Sequence, residues 1–186
     1  MKRSFDLILA SILFMPLLVL MFFIAIAIIF TSKGPPLHWS NRVGANNRIF
    51  KMPKFRTMNI DTPEVATHLL SNPDNFLTPI GGFLRKSSLD ELPQLISIIK
   101  GDMSFVGPRP ALYNQNDLIK LRSEHNLDKL VPGLTGWAQI NGRDELSIKD
   151  KVIYDEEYMQ KFSIMFDILI IIRTIIRTIR KTNISH

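Results

Sequence analysis

Two adjacent acids, Asp90 and Glu91, stand in the string Arg85-Lys86-Ser87-Ser88-Leu89-Asp90-Glu91-Leu92-Pro93-Gln94-Leu95. A carboxylate kept ionised at a helix start, with Arg85 and Lys86 nearby, is available as a nucleophile or a metal ligand. Adjacent side chains on a helix diverge by about 100°, so the two acids would have separate tasks. A purely structural reading fits the same residues. Ser88 and Glu91 have capping-box spacing, acids favour a first helical turn, and Pro93 tolerates a helix start. A second string, Gly101-Asp102-Met103-Ser104-Phe105-Val106-Gly107-Pro108-Arg109-Pro110, holds Arg109 between two prolines. Prolines fix the backbone on both sides, so the guanidinium rides on a stiff loop suited to bidentate phosphate binding. Its plain counterpart is a proline-rich turn with a solvated arginine. A third string, Lys54-Phe55-Arg56-Thr57-Met58, adds two cations, either for an anionic ligand or as a basic strand near anionic lipid.

Other chemistries are excluded. The 186 residues contain no cysteine, so there is no disulfide framework and no thiolate nucleophile or metal site. G-x-G-x-x-G, Walker A, H-E-x-x-H and nucleophile-elbow patterns are absent. The net charge of +6 suits anionic partners, yet no aromatic-basic signature of nucleic-acid binding accompanies it.

The elements that must carry these residues divide into three. Residues 7–30 carry no charge, and at about 1.5 Å per residue such a helix can cross a bilayer. Pro16 predicts a kink or break within it. Lys2 and Arg3 precede the run, and Lys33, Arg42, Arg48, Lys51, Lys54 and Arg56 follow it, with no acid in 31–60. Basic flanks prefer the cytoplasmic side, so a helix that enters, bends at Pro16 and returns satisfies both, whereas a span translocates one. Residues 1–32 are therefore read as a re-entrant membrane helix. At the other end, 162–186, Arg173, Arg177 and Arg180 fall on one half of a helix, and Ile172, Ile175, Ile176 and Ile179 on the other. That is the pattern of a helix lying in the membrane interface, or of one packed on the domain.

Residues 33–161 read as a water-facing, helix-rich α+β domain. Strand-like runs occur at 48–51 and 137–140, a helix is predicted over 63–70 and a longer one over 111–130. Nothing in the pattern indicates a doubly wound sheet.

Taken together with Pro132-Gly133-Leu134-Thr135-Gly136-Trp137-Ala138-Gln139-Ile140-Asn141-Gly142-Arg143, the three strings resemble the ordered motifs of the monotopic phosphoglycosyl transferases, a family of bacterial sugar transferases. The resemblance covers nearly the whole chain, at a length similar to the small, catalytic-core-only form. It implies transfer of a phospho-sugar from a UDP-sugar to a polyprenol phosphate such as undecaprenyl phosphate. UMP is released, and the active site lies at the cytoplasmic face of the bacterial inner membrane. It further implies a covalent phosphosugar-aspartyl intermediate on Asp90, with Mg²⁺ bound and Asp90 a metal ligand. Glu91 then assists as acid, base or metal-site partner. Arg109 holds phosphate, Lys54, Arg56 and Arg85 support the anionic site, and Arg143 is a weaker candidate. The family's re-entrant helix breaks at a Ser-Pro pair, which here is Met15-Pro16, so the hydroxyl that satisfies a freed carbonyl is missing.

Two other classes compete: a non-catalytic basic membrane-binding module, and a membrane-bound nucleotide-sugar hydrolase. No motif reports which sugar is used or the oligomeric state. The acid-rich stretch 144–157 is a candidate specificity element on composition alone.

Overall fold

The computed structural model describes residues 1–63, 72–142 and 146–184, and the side chains of all of these except 73 and 179–184. Helix α1 (Lys2–Thr31) is long and apolar enough to cross a membrane, by length and composition. One stripe of it faces the domain. Asp6, Ala10, Met21, Ile24 and Ile28 are buried, and between them Leu13 and Leu17 pack against the core. The steps of three and four keep these residues on one face of a 3.6-residue turn. The other faces are equally apolar and exposed, with Ile8, Ile12, Met15, Val19, Phe22 and Phe23 open. Water does not favour such a surface, but hydrocarbon does.

Both ends of α1 are fixed to the same domain. Lys2 pairs with the buried Asp167 and donates to the Tyr158 hydroxyl oxygen. Arg3 donates to the carbonyls of Ile98 and Ile99 at the end of α3 (Leu95–Lys100). Asp6 accepts from the Ser104 hydroxyl at 3.1 Å and from the Phe105 amide at 3.2 Å. Near the far end, Met21, Ile24 and Ile28 form a cluster with Phe55 and Leu84.

The expected break at Pro16 does not occur, because helical structure continues from Lys2 through Pro16 to Thr31. Proline removes one hydrogen bond and crowds one carbonyl, and docking of the stripe on both sides of it holds the two halves in one helix.

Strands β1 (Leu37–Val43) and β2 (Ile49–Phe55) form an antiparallel pair, in register from Leu37 opposite Phe55 to Val43 opposite Ile49. Asn46 and Asn47, at φ 54° and 57°, make the turn between them in the left-handed region that asparagine tolerates. Strands β3 (Ser104–Val106) and β4 (Gly133–Thr135) pair in parallel, Ser104 with Gly133 and Val106 with Thr135. Helices α2 (Gly81–Lys86), α4 (Asn116–Glu124), α5 (Trp137–Asn141), α6 (Ile148–Gln160) and α7 (Ile164–Ile184) complete a helix-rich α+β arrangement. Its main core gathers Ala10, Met52, Leu95, Ile98, Phe105, Ile140, Tyr158 and Ile170.

Two sequence expectations change here, and a third cannot be compared. The run 137–140 is helical, not a strand: a short apolar run has no decisive period, and here the Gly136 carbonyl accepts the Ile140 amide as a helical turn. The helix expected over 111–130 shortens to α4 plus a 3-10 turn at Leu127–Lys129. Gln115 Oε1 captures the Leu112 amide before the helix begins, and Asn126 at φ 57° interrupts its end. The helix expected over 63–70 falls almost wholly on residues outside the described ones.

Helix α7 packs on the domain along one side. It buries Asp167 and Ile170 against the domain and leaves Ile172, Ile175 and Ile176 exposed.

Asp6→Ala leaves the Ser104 hydroxyl and the Phe105 amide buried without an acceptor. Such loss costs about 1–3 kcal/mol per orphaned group. Thermal unfolding of the purified protein should shift to lower temperature, and hydrogen exchange at the Phe105 amide should accelerate. Unchanged exchange there would show that Asp6 does not hold α1 to β3.

Candidate active site

Position 88 decides how the two acids are presented. Ser88 has φ 59°, a left-handed entry into a 3-10 helix spanning Leu89–Gln94, and its side chain makes no cap. The capping box allowed by the Ser88-Glu91 spacing therefore does not form. Pro93 offers no amide hydrogen and keeps this segment from merging with α3 as one α-helix. At three residues per turn, neighbouring side chains point about 120° apart, and the two carboxylates meet different partners.

Glu91 takes the cations. Its Oε1 lies 2.7 Å from Lys54 Nζ and 3.7 Å from Arg109 Nη1. Asp90 is 7% exposed and accepts no hydrogen bond and forms no ion pair among the described residues. Burial pushes its carboxyl above the ordinary carboxylate range. Lys54 opposes that shift, Glu91 adds to it, and Arg85 and Arg109 oppose it. Burial likewise lowers the Lys54 ammonium below its usual value, against the pull of Glu91.

Each cation has its own support. Lys54 stands near the end of β2, whose partner strand fixes its register. Arg85, in the last turn of α2, donates from Nε to the Thr57 hydroxyl at 3.0 Å. Arg109 depends on a close backbone approach between the loops that begin with β3 and β4. The Gly107 amide donates to the Thr135 carbonyl and the Gly133 amide to the Pro108 carbonyl, both at 2.9 Å. A Cβ on Gly133 would come within 2.1 Å of the Gly107 nitrogen, and one on Gly136 within 2.1 Å of the Gly107 oxygen. Only glycine allows these strands to meet, and their meeting sets where Arg109 emerges.

Arg56 is placed differently from the other cations. Its guanidinium is buried, donates from Nη2 to the Ser32 hydroxyl at 2.9 Å, and is absent from the charges acting on Asp90. It ties the end of β2 to the end of α1, and Gly34 at φ 100° leaves the room it occupies. Arg143 lies outside the described residues.

The donor set suits a magnesium ion shared with a substrate. Mg²⁺ commonly takes one or two carboxylates and completes its shell with water and phosphate oxygens. Asp90, which accepts no hydrogen bond among the described residues, suits that part, with Glu91 beside it already engaged by Lys54 and Arg109. No group of three or more His, Cys, Asp or Glu suited to a metal occurs among the described residues.

The sequence reading missed a clamp behind Arg109. Arg122 Nη1 donates to the Arg109 carbonyl at 2.9 Å, and Arg122 pairs with the buried Asp155 at 2.7 Å. An arginine in α4 and an acid in α6 carry no local signal of their meeting. The acids near the end of 144–157 also have internal partners. Glu156 meets His125, and Glu157 accepts from the Trp137 indole at 2.9 Å.

The pattern of the bacterial sugar transferase family matches residues 1–181. The chain is 41% identical over 174 residues to the undecaprenyl-phosphate glucose phosphotransferase of Komagataeibacter xylinus, covering 88% of this chain and 33% of that protein. It is 37% identical over 172 residues to the UDP-glucose:undecaprenyl-phosphate glucose-1-phosphate transferase of Escherichia coli (strain K12), covering 88% and 37%. It is also 39% identical over 181 residues to the exopolysaccharide production protein ExoY of Rhizobium meliloti (strain 1021), covering 88% and 78%. The chain thus spans about a third of the length of the first two relatives.

A raised carboxyl pKa in the folded state means that ionising Asp90 costs stability. The native protein holds that proton more tightly than the unfolded chain, so the contribution is favourable at low pH and is lost as pH rises through the folded value. Asp90→Asn removes the cost. Its melting temperature should match wild type in acid and exceed it increasingly toward neutral pH. A constant gap at all pH values would contradict the burial of an ionisable group here.

Proposed function

This chain belongs to the bacterial sugar transferase family, and we propose that it moves a phospho-sugar from a UDP-sugar to a polyprenol phosphate, undecaprenyl phosphate in kind, with release of UMP. The relatives' names support the reaction class: two of them transfer sugar phosphates to undecaprenyl phosphate. The observation that carries the mechanism is the buried Asp90 carboxylate, which accepts no hydrogen bond among the described residues, beside a Glu91 that occupies Lys54 and Arg109.

In the first step an Asp90 oxygen attacks the sugar-bearing phosphorus. A phosphorus-aspartate bond forms, the bond to the bridging oxygen breaks, and UMP leaves with the electron pair. In the second step an oxygen of the lipid phosphate attacks the same phosphorus, and the carboxylate departs as it came. No proton need move in either displacement. Lys54, Arg85 and Arg109 offset the charge of the diphosphate, and such alignment and neutralisation carry most of the work in phosphoryl transfer. An acyl-phosphate needs a carboxylate that is not already saturated with donors, and Asp90 fits that need. Asp90, with Glu91 beside it, would hold a Mg²⁺ ion, which would supply further neutralisation of phosphate oxygens.

The same reading places α1 in one leaflet of the bacterial inner membrane without crossing it, and the site at the cytoplasmic face. Attachment of both ends of α1 to one domain supports this, as does the basic character of both flanks. An acceptor confined to the bilayer then meets a site fixed at interface height.

The decisive experiment incubates the protein with UDP-sugar labelled on the sugar, omits the lipid, quenches in acid and looks for label on protein. Label is expected on Asp90 and should leave on addition of undecaprenyl phosphate. Asp90→Asn should carry no label and lose at least about a thousandfold in turnover. Release of UDP in place of UMP, or full turnover by Asp90→Asn, would overturn the mechanism.

Lys54 is the largest influence opposing the raised Asp90 pKa, so Lys54→Met should move the acid limb of the kcat/KM profile to higher pH. An acid limb that stays in place would detach the profile from Asp90.

A further inference from the structure

Glu91 also lines a second space. A cavity of about 740 Å³ lies among α1, the 3-10 helix of Asp90, β4, α5 and α7, within the roughly 300–1,000 Å³ common for ligand sites. Leu13 and Leu17 of α1, Leu134 of β4 and Ile171 of α7 make apolar walls. Ile175 lines the cavity and is also 54% exposed, so the space reaches the apolar outer surface of α7. Charge enters at Lys86 and Arg177, which also line it and make no ion pair among the described residues.

These features select an occupant. The apolar walls suit an isoprenoid chain, which asks for no hydrogen bonds, while Ser88, Thr135, Gln139, Asn141, Thr174 and Thr178 place polar groups around them for the phosphate end. A phosphate monoester on that chain would find two cations beside Glu91. We propose that this cavity seats the first isoprene units of the polyprenyl phosphate acceptor, with Lys86 and Arg177 as positioning residues for its phosphate.

The assignment rests on the reaction given above and adds a division of the site. Lys54, Arg85 and Arg109 serve the donor diphosphate, Lys86 and Arg177 serve the acceptor, and the Asp90-Glu91 pair stands where the two meet. It also explains why α1 and α7, remote in sequence, line one space. Each brings to the cavity a wall that is continuous with a surface suited to hydrocarbon.

The test uses the full chain in nanodiscs. Arg177→Glu and Ile175→Trp alter exposed positions, where substitutions rarely disturb folding. Each should raise KM for undecaprenyl phosphate by about tenfold, while KM for the UDP-sugar changes far less. A polyprenyl phosphate bearing a diazirine in its second isoprene unit should crosslink to peptides containing residues 13–17 and 171–177, a readout that needs no turnover. Unchanged acceptor KM in both variants, crosslinks elsewhere, or equal protection by phosphatidic acid would each overturn the assignment. Phosphatidic acid protection would mean that a bilayer lipid takes the cavity. The two proposals fail separately: label on Asp90 with an acceptor KM indifferent to Arg177 removes only this one, whereas a wild-type protein that takes no label removes both.

Discussion

The central constraint is a carboxylate, Asp90, that is buried among cations and yet accepts no hydrogen bond among the described residues. Three positive groups surround Asp90, and any of them could pair with it and quench it. Glu91 prevents this by taking Lys54 and Arg109 on one of its oxygens. The pair thus divides the work by geometry: one acid binds the cations, the other is left open. The left-handed entry at Ser88 and the tighter pitch of the 3-10 helix turn the two side chains apart.

Much of the remaining architecture keeps the cations at their distances. Lys54 is set by the strand pair, Arg85 by Thr57, and Arg109 by a backbone contact that only glycines permit at 107, 133 and 136. Arg122 braces the Arg109 carbonyl and is itself neutralised by Asp155. Arginines without direct access to Asp90 thereby stiffen the loops that bear those with access. A rigid support of this kind favours positional accuracy, which the proposed phosphoryl transfer would demand more than unusual side chains.

The apolar helix belongs to this support. Helix α1 reaches Asp167, Tyr158 and Ser104 at its first turns and the Phe55-Leu84 cluster near its last. Its contacts thus touch both β2, which carries Lys54, and β3, which leads to Arg109. One helix thus presents an apolar surface long enough for a membrane and braces the elements that carry the cations, and the polar contacts at its start are buried enough to be specific in register. Tyr158, donating to Asp167 at 2.8 Å with the Val106 carbonyl 3.2 Å away, links α7 to the same point, and its hydroxyl is held well above its ordinary pKa by burial and by Asp167.

The sequence alone determined what was local. The uncharged run of α1, the amphipathic period of α7, the adjacent acids and the Arg109 loop could be read directly, because each is a matter of neighbouring residues and a fixed period. So could the family likeness, since ordered motifs survive in linear form. Only the tertiary structure decided which of those residues share a site. Arg56, within a candidate string, donates to Ser32 at the end of α1, while Arg122 and Asp155, which carry no motif, stand behind Arg109. Local patterns also misled where two structures satisfy them equally: Ser88 and Glu91 fit a capping box, yet three-dimensional pairing with Lys54 claims Glu91 first, and Pro16 does not divide a helix docked along both halves. The physical reason is common to all of these. Hydrogen bonds and ion pairs between residues tens of positions apart outweigh weak local preferences, and those partners become visible only when the chain has folded.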